Sequence, residues 1–360
     1  MYQLTSVFLL KLKTIASLLL LQLLLTSAAP INAVMPRIVL PPKIIHTEES
    51  IQSADAELEP TTGEFNTKDG LTINETLLVD SLIRKTIVHL PKHYEAHQKR
   101  PLVIVLHGAK LSGWIAQAVT GFDKLANEEH FIVAYPDALH QQWNDGRRAG
   151  DTPSYGIDDV HFISTLIDYM AWKYNIDPDQ VYVAGYSSGG MLAQKLGLEL
   201  THKISAIAEV SASLPINQLQ KNKKPSRPIS LLMINGTADR AFPWDGGSTR
   251  IIRISVGEVA PIMTTFDYWV EANGGPSELP QRKDALQKKV GGTKVSLRNT
   301  RTQNGKCVML YQIHGGGHTW PGSEVPLRYI PFLGRQSRNL NASELIWEFF
   351  KRNQQDCQPI

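Results

Sequence analysis

Much that would mark a specialised class is scarce in this sequence. Cysteine occurs only twice in 360 residues, so the chain is no disulfide-framed mini-fold. Cys307 and Cys357 stand far apart without CxxC spacing, so no metal site is read and none is expected. Charge of one sign is also lacking. The formal net charge is +3, and the first 33 residues carry Lys11 and Lys13 but no acid, so the remainder stands at +1. A chain so near neutrality gives no reason to expect a nucleic-acid partner. There is no long apolar run either. The stretch Ile15–Leu25 falls short of the roughly 20 residues that a spanning helix needs, so no stable membrane anchor is expected. A hydrophobic share of 42% suits a soluble globular protein with a sizeable core, arranged as one large domain or two ordinary ones.

The short apolar run has another reading. Lys11 and Lys13 precede it, and Thr26-Ser27-Ala28-Ala29 follows, in the order of a secretory signal. Residues 1–33 are therefore expected to direct export, to the medium or a periplasm. Cleavage near Ala28 or Ala33 both fit. In an oxidising compartment Cys307 and Cys357 could pair, but sequence does not bring their Cα atoms within reach, and that stays open.

Residues 34–80 mix Pro36, Pro41, Pro42 and Pro60 with acids and threonines without a sustained period, and read as an extended arm. The pattern then changes, and residues 81–357 carry regular strand and helix signals. Pro101–Leu106 (PLVIVL), Phe131–Tyr135 (FIVAY) and Val181–Ala184 (VYVA) are apolar runs of strands buried on both faces. Val160, Ile163, Ile167, Met170 and Tyr174 recur every three or four residues, one face of a helix capped by Asp158 or Asp159. Further strands are expected at Ile229–Ile234 and Val308–Ile313, with Asn304-Gly305 as a hairpin turn before the latter. Asn341, with Glu344 three residues on, opens a last helix to Arg352. Alternation of strand and helix predicts an α/β fold with a mostly parallel central sheet flanked by helices. Residues 245–295 hold a helix-like stretch near 263–272 and are expected to contribute to a cap over the site.

Gly185-Tyr186-Ser187-Ser188-Gly189 carries the chemistry. It reads G-x-S-x-G between a strand and a helix, where a sharp turn exposes a serine as nucleophile and demands small flanks. The alternative is a glycine-rich turn with an incidental serine. In this order an acid and then a histidine must follow. The strand ending at Ile234 runs into Asn235-Gly236-Thr237-Ala238-Asp239, so Asp239 is the expected carboxylate and Asp245 its competitor. Three glycines lead into His318, the expected base, while His314 stays near its strand. Backbone amides of Ser188 and Ala109 are expected to form the oxyanion hole. His107 reads as a brace for that loop. Trp143-Asn144-Asp145-Gly146-Arg147 reads equally as pocket lining or as a polar turn. Trp143 and Trp320 are the substrate-contact candidates.

LHG at 106–108, WNDGR at 143–147, DDVHFI at 158–163, NIDPDQVYVAGYSSGGM at 175–191, NGTAD at 235–239, GGGHTWPG at 315–322 and LIWEFF at 345–350 together resemble a known family. It is that of the secreted esterases and poly(3-hydroxybutyrate) depolymerases, related to feruloyl and acetylxylan esterases, within the α/β-hydrolase superfamily. The resemblance covers roughly residues 80 to 350. It implies a single α/β-hydrolase domain, no cofactor, ester hydrolysis through an acyl-enzyme, and Ser187, Asp239 and His318 as triad. The loop after His107-Gly108 departs from the family's glycine-rich form, and Lys110 there is expected to favour acidic substrates. No long linker or second domain for gripping a solid polymer is seen, so short soluble esters or oligomers are the expected partners. A serine peptidase of the same fold and a non-catalytic binding protein on a hydrolase scaffold are the rival readings.

Overall fold

In the strand β3 (Arg100–Leu106), successive side chains take opposite sides of a sheet. Leu102, Ile104 and Leu106 join one buried cluster, while Val103 and Val105 join a second on the other face. This is what a continuous apolar run requires: a strand covered twice. A computed structural model describes residues 68–352 except 148–153, 155, 252–253, 278–280 and 326–330, and also residue 357. The expected signal and most of the expected arm lie outside the described residues.

Around β3 the parallel strands β4 (Ile132–Pro136), β5 (Ile176–Tyr186), β6 (Ala206–Val210), β7 (Ser230–Gly236) and β12 (Cys307–His314) run in the order β4-β3-β5-β6-β7-β12. Antiparallel strands extend both edges. β1 (Leu71–Val79) and β2 (Leu82–Leu90) lie beyond β4, and β11 (Thr293–Arg301) and β10 (Gln281–Val290) beyond β12. Gly305, at φ 76°, makes the turn between β11 and β12 that Asn304-Gly305 predicted.

Helices α1 (Gly113–Thr120), α2 (Phe122–Glu129) and α7 (Ala342–Arg352) contribute to the cluster on one face. α3 (Asp159–Tyr174), α4 (Ser188–Glu199), α5 (Ile216–Lys221) and α6 (Ile262–Ala272) pack in the cluster on the other. Asp158 is the cap of α3 and accepts from the His161 amide at 2.9 Å, whereas Asp159 turns inward to the buried Arg84 at 2.6 Å. Asn341 caps α7 through the Ser343 amide at 3.0 Å and reaches Glu344 at 2.9 Å. No described helix is long and apolar enough to cross a membrane. The mostly parallel sheet, covered on both faces, has the α/β-hydrolase form.

Two boundaries differ from expectation. Leu71–Val79, assigned to the arm, is the edge strand β1, paired with β2 over its whole length. Its outward positions are Thr72, Asn74, Thr76 and Leu78, and the three polar ones hid a period-2 strand. Residues 245–295 are not a separate cap. α6 buries Phe266 and Trp269 in the main core, and β10 extends the sheet. Only the small ribbon of β8 (Gly247–Ile251) and β9 (Ile254–Val259) stands apart, as its own two-stranded sheet.

Candidate active site

Ser187 sits between β5 and α4 with φ 57° and ψ −122°, a conformation non-glycine residues avoid. The strain is over-determined by its neighbours. The Ser187 amide donates to Val210 O at 2.9 Å, and its carbonyl accepts from Gly190 and Met191 at 2.9 and 3.1 Å. A Cβ on Gly185 would lie 2.2 Å from Gly189 O, and one on Gly189 would lie 2.3 Å from Leu106 O. The two glycines flanking the serine motif are thus required by close backbone approach.

Asp239 lies in the loop after β7, and His318 in the loop after β12. Both loops leave the same sheet edge as the serine turn, because parallel strands place their carboxyl ends together. His318 bridges them. Its Nε2 is 2.9 Å from Ser187 Oγ and its Nδ1 is 2.8 Å from Asp239 Oδ2. Asp239 Oδ1 accepts from the Ala241 and Phe242 amides, each at 2.8 Å. The Phe242 ring stacks on the His318 imidazole at 5.2 Å, and the Tyr186 hydroxyl donates to the His318 carbonyl at 2.8 Å. All three side chains are buried, with Ser187 8% exposed. An imidazole held this way can take a hydroxyl proton while a carboxylate fixes its tautomer.

Asp245 and His314 are not part of this bridge. His314 bonds Ser296 Oγ at 2.8 Å. The loop after β3 touches the serine, since a Cβ on Gly108 would lie 3.2 Å from Ser187 Cβ. Its Lys110 and Leu111 amides bond Gln141 and Gly108 carbonyls, while among the described residues the Ala109 and Ser188 amides donate to no backbone acceptor. His107 braces the loop as its position suggested. Its Nε2 accepts from the Ala138 amide at 3.0 Å, so Nδ1 carries the proton donated to Gly108 O at 2.7 Å. Burial pushes its pKa down to about 4, against smaller opposing effects of that bond and of Asp137.

The two tryptophans are a correction. Trp143 and Trp320 are both 0% exposed. Trp143 Nε1 donates to His107 O at 2.8 Å with its ring against the imidazole, and Trp320 Nε1 donates to Ser343 Oγ at 3.1 Å. They brace the site from within the core rather than line a pocket. The rest of WNDGR is a polar turn. Arg147 grips Asp145 at 2.9 and 2.8 Å, and Asn144 bonds Asp159 and Ile157, each at 2.7 Å. Sequence reasoning passed over Phe242 and Glu209. Nothing in the sequence points to Phe242. Glu209 was visible as one acid inside the apolar strand AIAEV. Among the described residues no group of His, Cys, Asp and Glu could hold a metal ion.

Comparison with known proteins finds similar chains named as esterases. A family model described as "Putative esterase" matches residues 83–246. "Putative esterase NocK" of Nocardia uniformis subsp. tsuyamanensis is 30% identical over 257 residues, which is 69% of this chain and 74% of that protein. "Feruloyl esterase B" of Piromyces equi is 29% identical over 247 residues, 65% of this chain but only 42% of its relative. This chain therefore spans less than half of the Piromyces protein. Among solved structures, an acetyl xylan esterase from Aspergillus awamori superposes with a TM-score of 0.49 at 15% identity, covering 73% of this chain and 100% of that one.

Proposed function

The chain belongs to the esterase family and is a carboxylic ester hydrolase, and from that premise we propose that Ser187, His318 and Asp239 are its catalytic triad. In this reading His318 Nε2 takes the Ser187 proton as Oγ attacks the ester carbonyl. The alkoxide of the tetrahedral intermediate is held by the Ser188 and Ala109 amides, and His318 returns the proton to the departing alcohol. Water then attacks the acyl-serine by the same route in reverse, with Asp239 keeping the proton of Nδ1 in place throughout. The observation that carries the reading is the pair of His318 contacts, 2.9 Å to Ser187 and 2.8 Å to Asp239.

Substrates are short soluble esters or oligomers of the 3-hydroxybutyrate kind, a reading supported by the WNDGR and GGGHTWPG segments. Feruloyl or acetylated-xylan esters are the second reading, favoured by the Piromyces feruloyl esterase and by the "Bifunctional acetylxylan esterase/xylanase XynS20E" of Neocallimastix patriciarum, 29% identical over 47% of this chain and 23% of that protein. Residues 1–33 act as an export signal, which N-terminal sequencing of protein recovered from the medium checks: a first residue of Met1 rejects it.

Ser187→Ala is expected to lower kcat on p-nitrophenyl acetate and butyrate by about 10⁴-fold or more without unfolding the protein. Activity that survives removes Ser187 from the role, and amidase without esterase activity turns the reading to a peptidase. A panel of hydroxybutyrate oligomers, feruloyl esters and acetylated xylan separates the two substrate readings. Lys110→Ala, run on charged and neutral esters, tests the preference for acidic substrates; an equal kcat/KM ratio in variant and wild type refutes it.

A further inference from the structure

Glu209 is fully buried at the edge where the site is assembled. In the parallel pairing of β6 with β5 it stands opposite Gly185, the first residue of the serine motif. A Cβ on Gly190 in the first turn of α4 would lie 3.2 Å from Glu209 Cβ, so the acid sits beneath that turn. One carboxyl oxygen accepts from the Ala212 amide at 2.8 Å, and the other lies 2.6 Å from the Asn235 side-chain amide. Among the described residues no basic side chain pairs with it, and the charge that acts on it is the negative one of Asp239.

The 2.6 Å contact can be made in two ways, by the Asn235 NH₂ donating to a carboxylate or by a carboxyl O–H donating to the amide oxygen. An amide's oxygen and nitrogen occupy interchangeable positions, so Asn235 can present Oδ1 to a carboxyl proton. A carboxylic acid then satisfies both sides at once, accepting from Ala212 and donating to Asn235. Each contact leads to the site. Asn235 is the penultimate residue of β7, four residues before Asp239. Ala212 packs in a small cluster with Met191, Ala241, Phe242 and Val259, and Phe242 both stacks on His318 and supplies an amide to Asp239.

We infer that Glu209 is a positioning residue, a neutral carboxyl bonded between Ala212 and Asn235 that holds the loops carrying Asp239 and Phe242 in register with His318. Burial also drives its proton affinity well above the usual carboxylate range, outweighing the bonds from Asn235 and Ala212, with the charge of Asp239 acting in the same direction as burial. The inference rests on the triad reading above and adds what sets its geometry.

The test compares Glu209→Leu, Glu209→Gln and Ser187→Ala in the full chain with p-nitrophenyl acetate, together with infrared difference spectra. Glutamine repeats the neutral pattern, its NH₂ donating to Asn235 and its oxygen accepting from Ala212. Glu209→Leu is expected to lose about 10- to 100-fold in kcat with KM nearly unchanged, the size of a displacement of catalytic groups. Glu209→Gln is expected to regain all but a few-fold of that loss. Wild type should show the carbonyl stretch of a protonated carboxyl that both variants lack. A Gln variant as impaired as Leu, a Leu variant with wild-type kcat, or no such band overturns the inference. Should Glu209→Leu fail to fold, the Gln kinetics and the band still decide. Full activity in Ser187→Ala sinks the triad and this inference with it; a dead Ser187→Ala beside a folded but equally dead Glu209→Gln sinks only the latter.

Discussion

Gly189→Ala isolates the close approach on which the serine turn depends. The added methyl would lie 2.3 Å from Leu106 O and 2.6 Å from His107 O, both backbone atoms that cannot rotate away. Normal contact needs about 1 Å more, so either α4 or the end of β3 must move by that amount. Overpacking of this kind costs about 1–3 kcal/mol, which for a domain of this size lowers Tm on the order of 2–5 °C. The kinetic cost is larger, because the two displaced elements carry Ser187 with Ser188 on one side and Ala109 on the other. A shift of about 1 Å between them is expected to lower kcat about 100-fold. Gly121→Ala is the control. There φ is +65° and nothing lies within 4 Å of the new Cβ, so it should cost about 1 kcal/mol of backbone strain and leave kcat intact. The assay is kcat on p-nitrophenyl acetate beside a melting curve. Wild-type kcat in Gly189→Ala, or equal kinetic damage in Gly121→Ala, refutes the reasoning.

Three other outcomes are expected. His107 has its folded pKa pushed down to about 4 from 6.5, so the unfolded chain takes a proton first as pH falls. Its contribution of about 3 kcal/mol is whole above pH 6.5 and is lost on descending to about 4, and His107→Gln should flatten that slope in urea titrations at successive pH values. The structure joins Cys307 to Cys357, with Cα atoms 5.4 Å apart across 50 residues of chain, so Cys357→Ser should destabilise by about 4 kcal/mol and leave KM unchanged; an unaltered Tm refutes it. Trp143→Ala should cost about 3–5 kcal/mol as a core deletion, read as a fall in Tm, whereas a raised KM at unchanged Tm would restore it to the substrate pocket.

Legibility followed the physical signal of each segment. β3, β4, β5, β7 and β12 were readable because burial on both faces forces continuous apolar runs, and α3 because one buried face recurs at helical spacing. Ser187, Asp239 and His318 were readable because each follows such a strand, beside the glycines that close approach demands. β1 was missed because three of its outward positions, Thr72, Asn74 and Thr76, are polar and its inward Glu75 resembles loop composition, though that acid is bonded by Tyr169 and Lys173. Trp143 and Trp320 were misread for a different reason. An aromatic beside a catalytic loop can face solvent or core, and spacing along the chain carries no sign of which. The β8–β9 ribbon gave no clear period, and its place beside Ala241, whose carbonyl accepts from the Arg250 amide at 3.1 Å, arises only from tertiary packing.

The two main-chain donors on Asp239 Oδ1 free something for engineering. Since the grip on the acid comes from peptide groups, residue 242 can be exchanged for other flat rings that still cover the imidazole, whereas Ala241, buried beside Met191 and Ala212, has to stay small. Tyrosine or tryptophan at position 242 should therefore leave the two amide bonds to the acid in place, because these belong to the main chain and not to the ring.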